Sequence, residues 1–237
     1  MTVRRAEELH VLSAGAAQGL VEALEPRFLA ETGVALRPTF GAVGAIREKL
    51  FADERCDALI LTEAMIKELA SSGYVLSGTC ASLGWVRTGI GIRAGDAVPD
   101  INNRAALERT LCVATDVYVP DLHRSTAGMH FAGVLDQLGL HAEIAPRLRA
   151  HPNGATAMRE LAQSKGATPI GCTQATEILY TAGVTLVGPL PSEFELATVY
   201  SVAVGSRADR REIAERFARL LSGAGTSQVR VQAGFES

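Results

Sequence analysis

Short apolar runs alternate with amphipathic helical segments over most of the chain, and this alternation constrains the fold more than any other feature. Leu9–Leu12 reads as a short strand, and after a small-residue turn Leu20, Leu24, Phe28 and Leu29 recur at helical spacing up to Thr32-Gly33. Val34–Phe40 reads as the next strand, Ala45–Phe51 as a helix, Ala58–Leu61 as an apolar strand, and Ala64–Ser71 as a helix ended by Gly73. A second block begins at Val86–Arg93. In it, Leu111–Ala114 is expected to be a strand, Ala127–Leu138 and Ala155–Gln163 helices, Ile170–Thr173 a strand, Ala175–Tyr180 a helix and Thr185–Val187 a strand. Leu196–Val204 follows as a strand, and Ile213–Leu221 is expected to close the chain as a helix. Such alternation predicts an α/β fold with mixed, mostly parallel sheets flanked by helices. With no flexible linker between the blocks, it predicts two lobes joined by crossing strands, with a ligand cleft between them.

Charge and composition exclude several functions. The 237 residues carry 23 Lys+Arg against 26 Asp+Glu, a net charge of -3, so no basic surface argues for nucleic acid or an anionic membrane. Aromatic residues make up 5%, too few for a base-stacking platform. Cys56, Cys80, Cys112 and Cys172 fit no zinc or CxxC spacing, and the histidines at 10, 123, 130, 141 and 151 show no HxxxH or HxH pairing, so neither a metal nor another cofactor is expected. Glu7 and Glu8 stand where a secretory signal would need its apolar run after Arg4 and Arg5. No 18-residue apolar stretch occurs. The expectation is a cytoplasmic chain, or a periplasmic one if a signal segment has been removed.

Several segments carry a resemblance in their order and spacing: LHVLSAGAAQGLVEALEPRFLAETGV, FGAVGAIREKL, CDALILTEAMIKEL, STAGMHFAGVLDQLGL, NGATAMRELA, IGCTQATEIL, VYSVAV and the closing AGF. Together they resemble the molybdate-binding protein family, of the type 2 periplasmic-binding-protein fold, to which aconitate isomerase is also similar. The resemblance implies one discontinuous lobe from residues 1–85 and 203–237 and a second from residues 86–202. It also implies an anion held by helix N-termini, whose free N–H groups and dipole favour negative charge.

Three small-residue turns fit that role: Ser13 to Ala17 with Gly15 and Ala16, then Gly41, Ala42, Val43 and Gly44, then Ser125, Thr126 and Ala127. In the family the first two turns each supply a serine hydroxyl, and here those positions hold Ala16 and Val43; the tyrosine expected in the fourth segment is Gln174. The polar residues Ser13, Gln18, Ser125, Thr126, Asn153 (beside Gly154), Cys172, Thr173 and Gln174 suit a larger organic anion bearing carboxylates and hydroxyls. Arg87 and Arg124 read either as surface arginines or as forks for a carboxylate. Glu63 and Glu177 fall at helix starts, where the dipole favours a carboxylate. His130 reads as packed or pocket-lining, and Cys172 as a core thiol or a pocket wall.

Two functions follow. One is an isomerase that moves an allylic proton on a di- or tricarboxylate, with Glu63, His130 and Cys172 as candidate bases and helix N-termini stabilising the enolate-like charge. The other is a binding protein for a small anion, either a cytosolic sensor or a receptor serving an ABC permease.

Overall fold

The computed structural model describes residues 7–237. Arg4 and Arg5, which enter the signal-segment argument, lie outside the described residues. In the first unit, β1 (Glu8–Ala14) leads through a 3-10 turn at Gly15–Ala17 into α1 (Gln18–Thr32). β2 (Ala35–Gly41), α2 (Val43–Phe51), β3 (Ala58–Thr62) and α3 (Glu63–Ser71) follow. β4 (Ala81–Arg93) leaves this unit, and the second unit holds α4 (Arg104–Val113), β5 (Val117–Pro120), α5 (Thr126–Leu138), α6 (His141–Ile144), β6 (Leu148–His151), α7 (Gly154–Gln163), β7 (Ile170–Gln174), α8 (Ala175–Tyr180) and β8 (Val184–Pro189). β9 (Ala197–Val204) returns the chain to the first unit, which ends with α9 (Arg211–Ser222) and α10 (Ser227–Gln232). The first unit comprises the residues up to Gly41, Ala45–Trp85 and Val199–Ser237; the second comprises Ala42–Gly44 and Val86–Thr198.

The first unit's sheet runs β2-β1-β3-β9, with β1 parallel to β2 and β3, and β9 antiparallel to β3. Leu9, Val11, Leu20, Leu24, Phe28, Ile46, Leu59 and Leu61 fill its core. In α9, Ala214, Phe217, Ala218 and Leu221 recur at one-face spacing and are buried, and Phe217 meets Phe28 edge-on at 5.2 Å. Asp57, 1% exposed, ties the unit together by accepting N–H bonds from His10 at 2.9 Å, Asp209 at 3.0 Å and Arg210 at 3.4 Å.

The second unit's sheet places β7 between β4 and β5, with β6 beyond β5 and β8 on the other side of β4. β5 is parallel to β6 and β7, whereas β4 is antiparallel to β7 and β8. Its core gathers Ile90, Leu107, Leu111, Val119, Phe131, Val134, Ile170 and Cys172.

Two local expectations need correction, and one strand was not expected. Leu111–Ala114 is not a strand: Leu111 to Val113 form the last turn of α4, and the strand lies further on, at Val117–Pro120. The helix wins because Asn103 caps it, accepting the Ala106 N–H at 3.0 Å, and because Leu107 and Leu111 share one buried face. Ile213–Leu221 lies within α9 but does not close the chain, since α10 follows at Ser227–Gln232. The short strand β6, half of it exposed, carries too weak an apolar signal to be read from sequence.

Candidate functional site: strand ends and a buried polar corner

In the first unit the parallel register aligns Ser13 with Phe40 and Ile60, and Ala14 with Gly41. The turns that follow these strands therefore share one edge, and each opens a helix. Gly15, Ala16 and Ala17 are buried, so the chain there presents backbone rather than side chains. Ser13 is fully buried, and its hydroxyl donates to the Ala14 carbonyl at 3.0 Å. The Gln18 amide donates to Glu22 at 2.8 Å, one helical turn on. Glu63 reaches the same edge at the end of β3, but its carboxylate is ion-paired with Lys67 at 2.7 Å on the exposed face of α3. This is a helix-start carboxylate with an i,i+4 partner.

The second unit repeats the pattern. Pro120 is in register with His151, and Val117 with Ile170, so β5, β6 and β7 end together and lead into α5, α7 and α8. Ser125 caps α5 by accepting the Gly128 N–H at 3.4 Å. A Cβ on Gly128 would fall 2.2 Å from the Asp121 carbonyl, so only glycine lets this turn close. Ala127 is buried and Thr126 partly so. Arg124 is exposed, and its carbonyl accepts the N–H of Gly44, from the Ala42–Gly44 turn grouped with this unit, at 3.0 Å. Ala42 and Val43 in that turn are buried. Arg87 lies 3.6 Å from Glu195.

The other two candidate bases are engaged elsewhere. His130 Nε2 is bonded to the Phe194 carbonyl at 2.7 Å. Cys172 lies opposite Ile90 inside the apolar core, fully buried, where desolvation pushes its thiol far up. Asn153 caps α7, its Oδ1 accepting the Thr156 N–H at 2.8 Å.

Sequence reasoning missed the role of one residue at this end. Glu177, 5% exposed, folds its carboxylate back onto the start of α7, where it accepts from the Thr173 hydroxyl and from the backbone N–H groups of Ala155, Gly154 and Gln174. Burial pushes this carboxyl up, and the four donors oppose the shift. Beside it lies a group of buried polar side chains. Gln174 is 2% exposed, and neither its amide nitrogen nor its amide oxygen has a hydrogen-bond partner among the described residues. Its cross-strand neighbour Thr88 is fully buried, and its hydroxyl is likewise unpartnered, as are those of Thr176 and Thr198. Thr198 lies two residues past Leu196, whose carbonyl accepts the Thr88 N–H. Thr88 was legible only as a polar residue inside an apolar run.

Among the described residues no cluster of His, Cys, Asp and Glu could hold a metal ion, and no helix is long and apolar enough to cross a membrane.

Parallel strands whose carboxyl ends each open a helix define the class of α/β proteins that gather ligands at those ends. The chain belongs to the bacterial extracellular solute-binding protein family, whose model matches residues 9–236. Its fold is that of the periplasmic binding proteins. It is similar to the periplasmic molybdate-binding protein of Azotobacter vinelandii, with a TM-score of 0.79 and 18% identity over 97% of this chain and 99% of that one. It is also similar to the sulfate-binding protein SubI of Mycobacterium tuberculosis H37Rv, with a TM-score of 0.73 and 17% identity over 97% and 86%. In sequence it is 29% identical over 164 residues to an aconitate isomerase of a Pseudomonas species, a match that takes in 65% of this chain and spans 62% of that protein's length.

Proposed function

We propose that this protein binds a small organic anion bearing carboxylates at the carboxyl ends of its parallel strands. The carrying observation is that each of these strands leads into a helix, three in each unit, and that small residues line the turns before α1 and α2. Helix starts offer N–H groups and a positive dipole end to an anion. The start of α7 is already taken by Glu177, and the second unit still offers the starts of α2 and α5 to a ligand. Ala16 and Val43 offer no hydroxyl there, which favours an organic acid over a tetrahedral oxyanion. Binding without turnover is the primary reading, because Glu63 is ion-paired, His130 is bonded to a carbonyl and Cys172 is sealed in the core. As a receptor the protein would work outside the cytoplasmic membrane and hand its ligand to an ABC permease.

The relationship to an aconitate isomerase supports a second reading, in which a bound polycarboxylate undergoes allylic proton transfer and the cytoplasmic location expected above applies. Proton NMR of cis- and trans-aconitate in D₂O with the protein separates the two. The binding reading expects line broadening without loss of the exchangeable C–H signal. Deuterium incorporation or interconversion would decide for the isomerase.

A further inference from the structure

Gln174 has a property that a simple anion site does not need. A primary amide carries both donors and an acceptor, and here both ends are buried without a partner among the described residues. A fully deprotonated oxyanion can satisfy the amide N–H but only repels the amide oxygen. Leaving that oxygen desolvated costs binding free energy. A group that satisfies both ends must accept and donate. The same holds for the hydroxyls of Thr88, Thr176 and Thr198, which are neutral and can serve in either sense.

The charge nearby acts in the same direction. The Glu177 carboxylate is bonded to the backbone N–H of Gln174 itself, so a fixed acid lies next to the residue that bears the amide. It already takes the N–H groups of Gly154 and Ala155 that an incoming anion would use. The space is closed as well, since a Cβ on Gly154 would fall 2.0 Å from that carboxylate oxygen and 2.1 Å from the Thr173 hydroxyl oxygen. A second full negative charge against this corner is opposed by like-charge repulsion.

We propose that the corner formed by Gln174 and Thr88, backed by Glu177, reads a hydroxyl group on the ligand, so that the protein selects hydroxy acids over the corresponding deoxy acids and over inorganic oxyanions. This rests on the anion-binding reading above and narrows it. The ligand hydroxyl donates to the amide oxygen of Gln174 and accepts from its amide nitrogen, and the ligand carboxylate lies away from this corner. Glu177 acts as a positioning residue: it fixes the backbone that carries the amide and does not touch the ligand.

The test is titration calorimetry of the whole protein with three matched pairs, malate and succinate, citrate and tricarballylate, lactate and propionate, together with sulfate and molybdate. At least one hydroxy acid should bind about tenfold or more tightly than its deoxy partner, the value of one well-formed hydrogen bond in a buried site. Gln174→Met, of similar length and without donor or acceptor, should reduce that ratio to about twofold or less. Equal affinity within every pair in the wild-type protein overturns the inference and leaves the anion reading standing. Binding of sulfate or molybdate with none of the six acids overturns both the inference and the organic-anion reading. A hydroxyl preference that survives in Gln174→Met overturns the assignment to this corner. Failure of all eight compounds to bind contradicts the anion reading itself. The wild-type ratio needs no variant, so the test holds even if Gln174→Met does not fold.

Discussion

The carboxylate of Glu177 occupies the space that a side chain on Gly154 would need. The start of α7 thus carries its own anion, donated from the next helix in the chain, and the glycine is the condition for that arrangement. Gly154→Ala must displace a buried carboxylate from four donors, and the side chain has no solvent to swing into. Overpacking of this kind costs about 1–3 kcal/mol. Urea unfolding of Gly154→Ala should show a loss in that range, and no loss would mean that Glu177 can leave the site freely.

Glu177 also sets a pH dependence. Burial holds its carboxyl above the ordinary value of 4.5 in the folded protein. A native state that grips the proton more tightly than the unfolded chain loses stability as pH rises from the ordinary value through the raised one. Glu177→Gln carries no such proton. Stability measured by denaturant at stepped pH above 4.5 should therefore shift in favour of the variant, relative to wild type, as pH rises. A shift in favour of wild type would show that the hydrogen bonds from Thr173 and the backbone outweigh desolvation.

Asp57 is a structural carboxylate of the first unit. It joins β1 to the segment before α9 through the N–H groups of His10, Asp209 and Arg210. Asp57→Ala strands these donors, and the expected loss is about 2–4 kcal/mol. Asp57→Asn, which keeps an acceptor, should lose less. Equal losses in chemical denaturation would contradict the assignment.

The thiols should divide by burial. Cys80 and Cys112 are exposed, Cys172 is sealed in the core, and the Cys56 thiol is pushed up to about 12 by burial. A thiol reagent at about pH 8, where an ordinary thiol is partly ionised, should label Cys80 and Cys112 in the native protein. Cys56 and Cys172 should react only on unfolding. Peptide mapping by mass spectrometry reads this directly, and fast native labelling of Cys172 would place it outside the core.

Much of this architecture was legible because the residues that decide it act locally. Gly33 at φ 70° ends α1 where the sequence placed the stop, and the apolar periodicity of α5 and α7 gave their spans to within a residue. The run Leu111–Ala114 misled because four apolar residues fit a strand as well as a buried helix turn; the deciding cap, Asn103, stands eight residues upstream. At the site, the turns at Gly15, Gly41 and Ser125 could be read from their small residues. Glu177 could be placed at a helix start but not understood, because its partners on α7 come together only through tertiary packing. Thr88 and Gln174 become a pair only through strand register, which no local pattern encodes.

The most direct test of the central claim is titration calorimetry of citrate and cis-aconitate against molybdate under identical conditions. Backbone N–H groups at the helix starts, without serine hydroxyls at positions 16 and 43, should bind a polycarboxylate in the micromolar range, about -8 kcal/mol, and molybdate at least tenfold more weakly. Sub-micromolar molybdate binding with no response to either polycarboxylate would contradict the account.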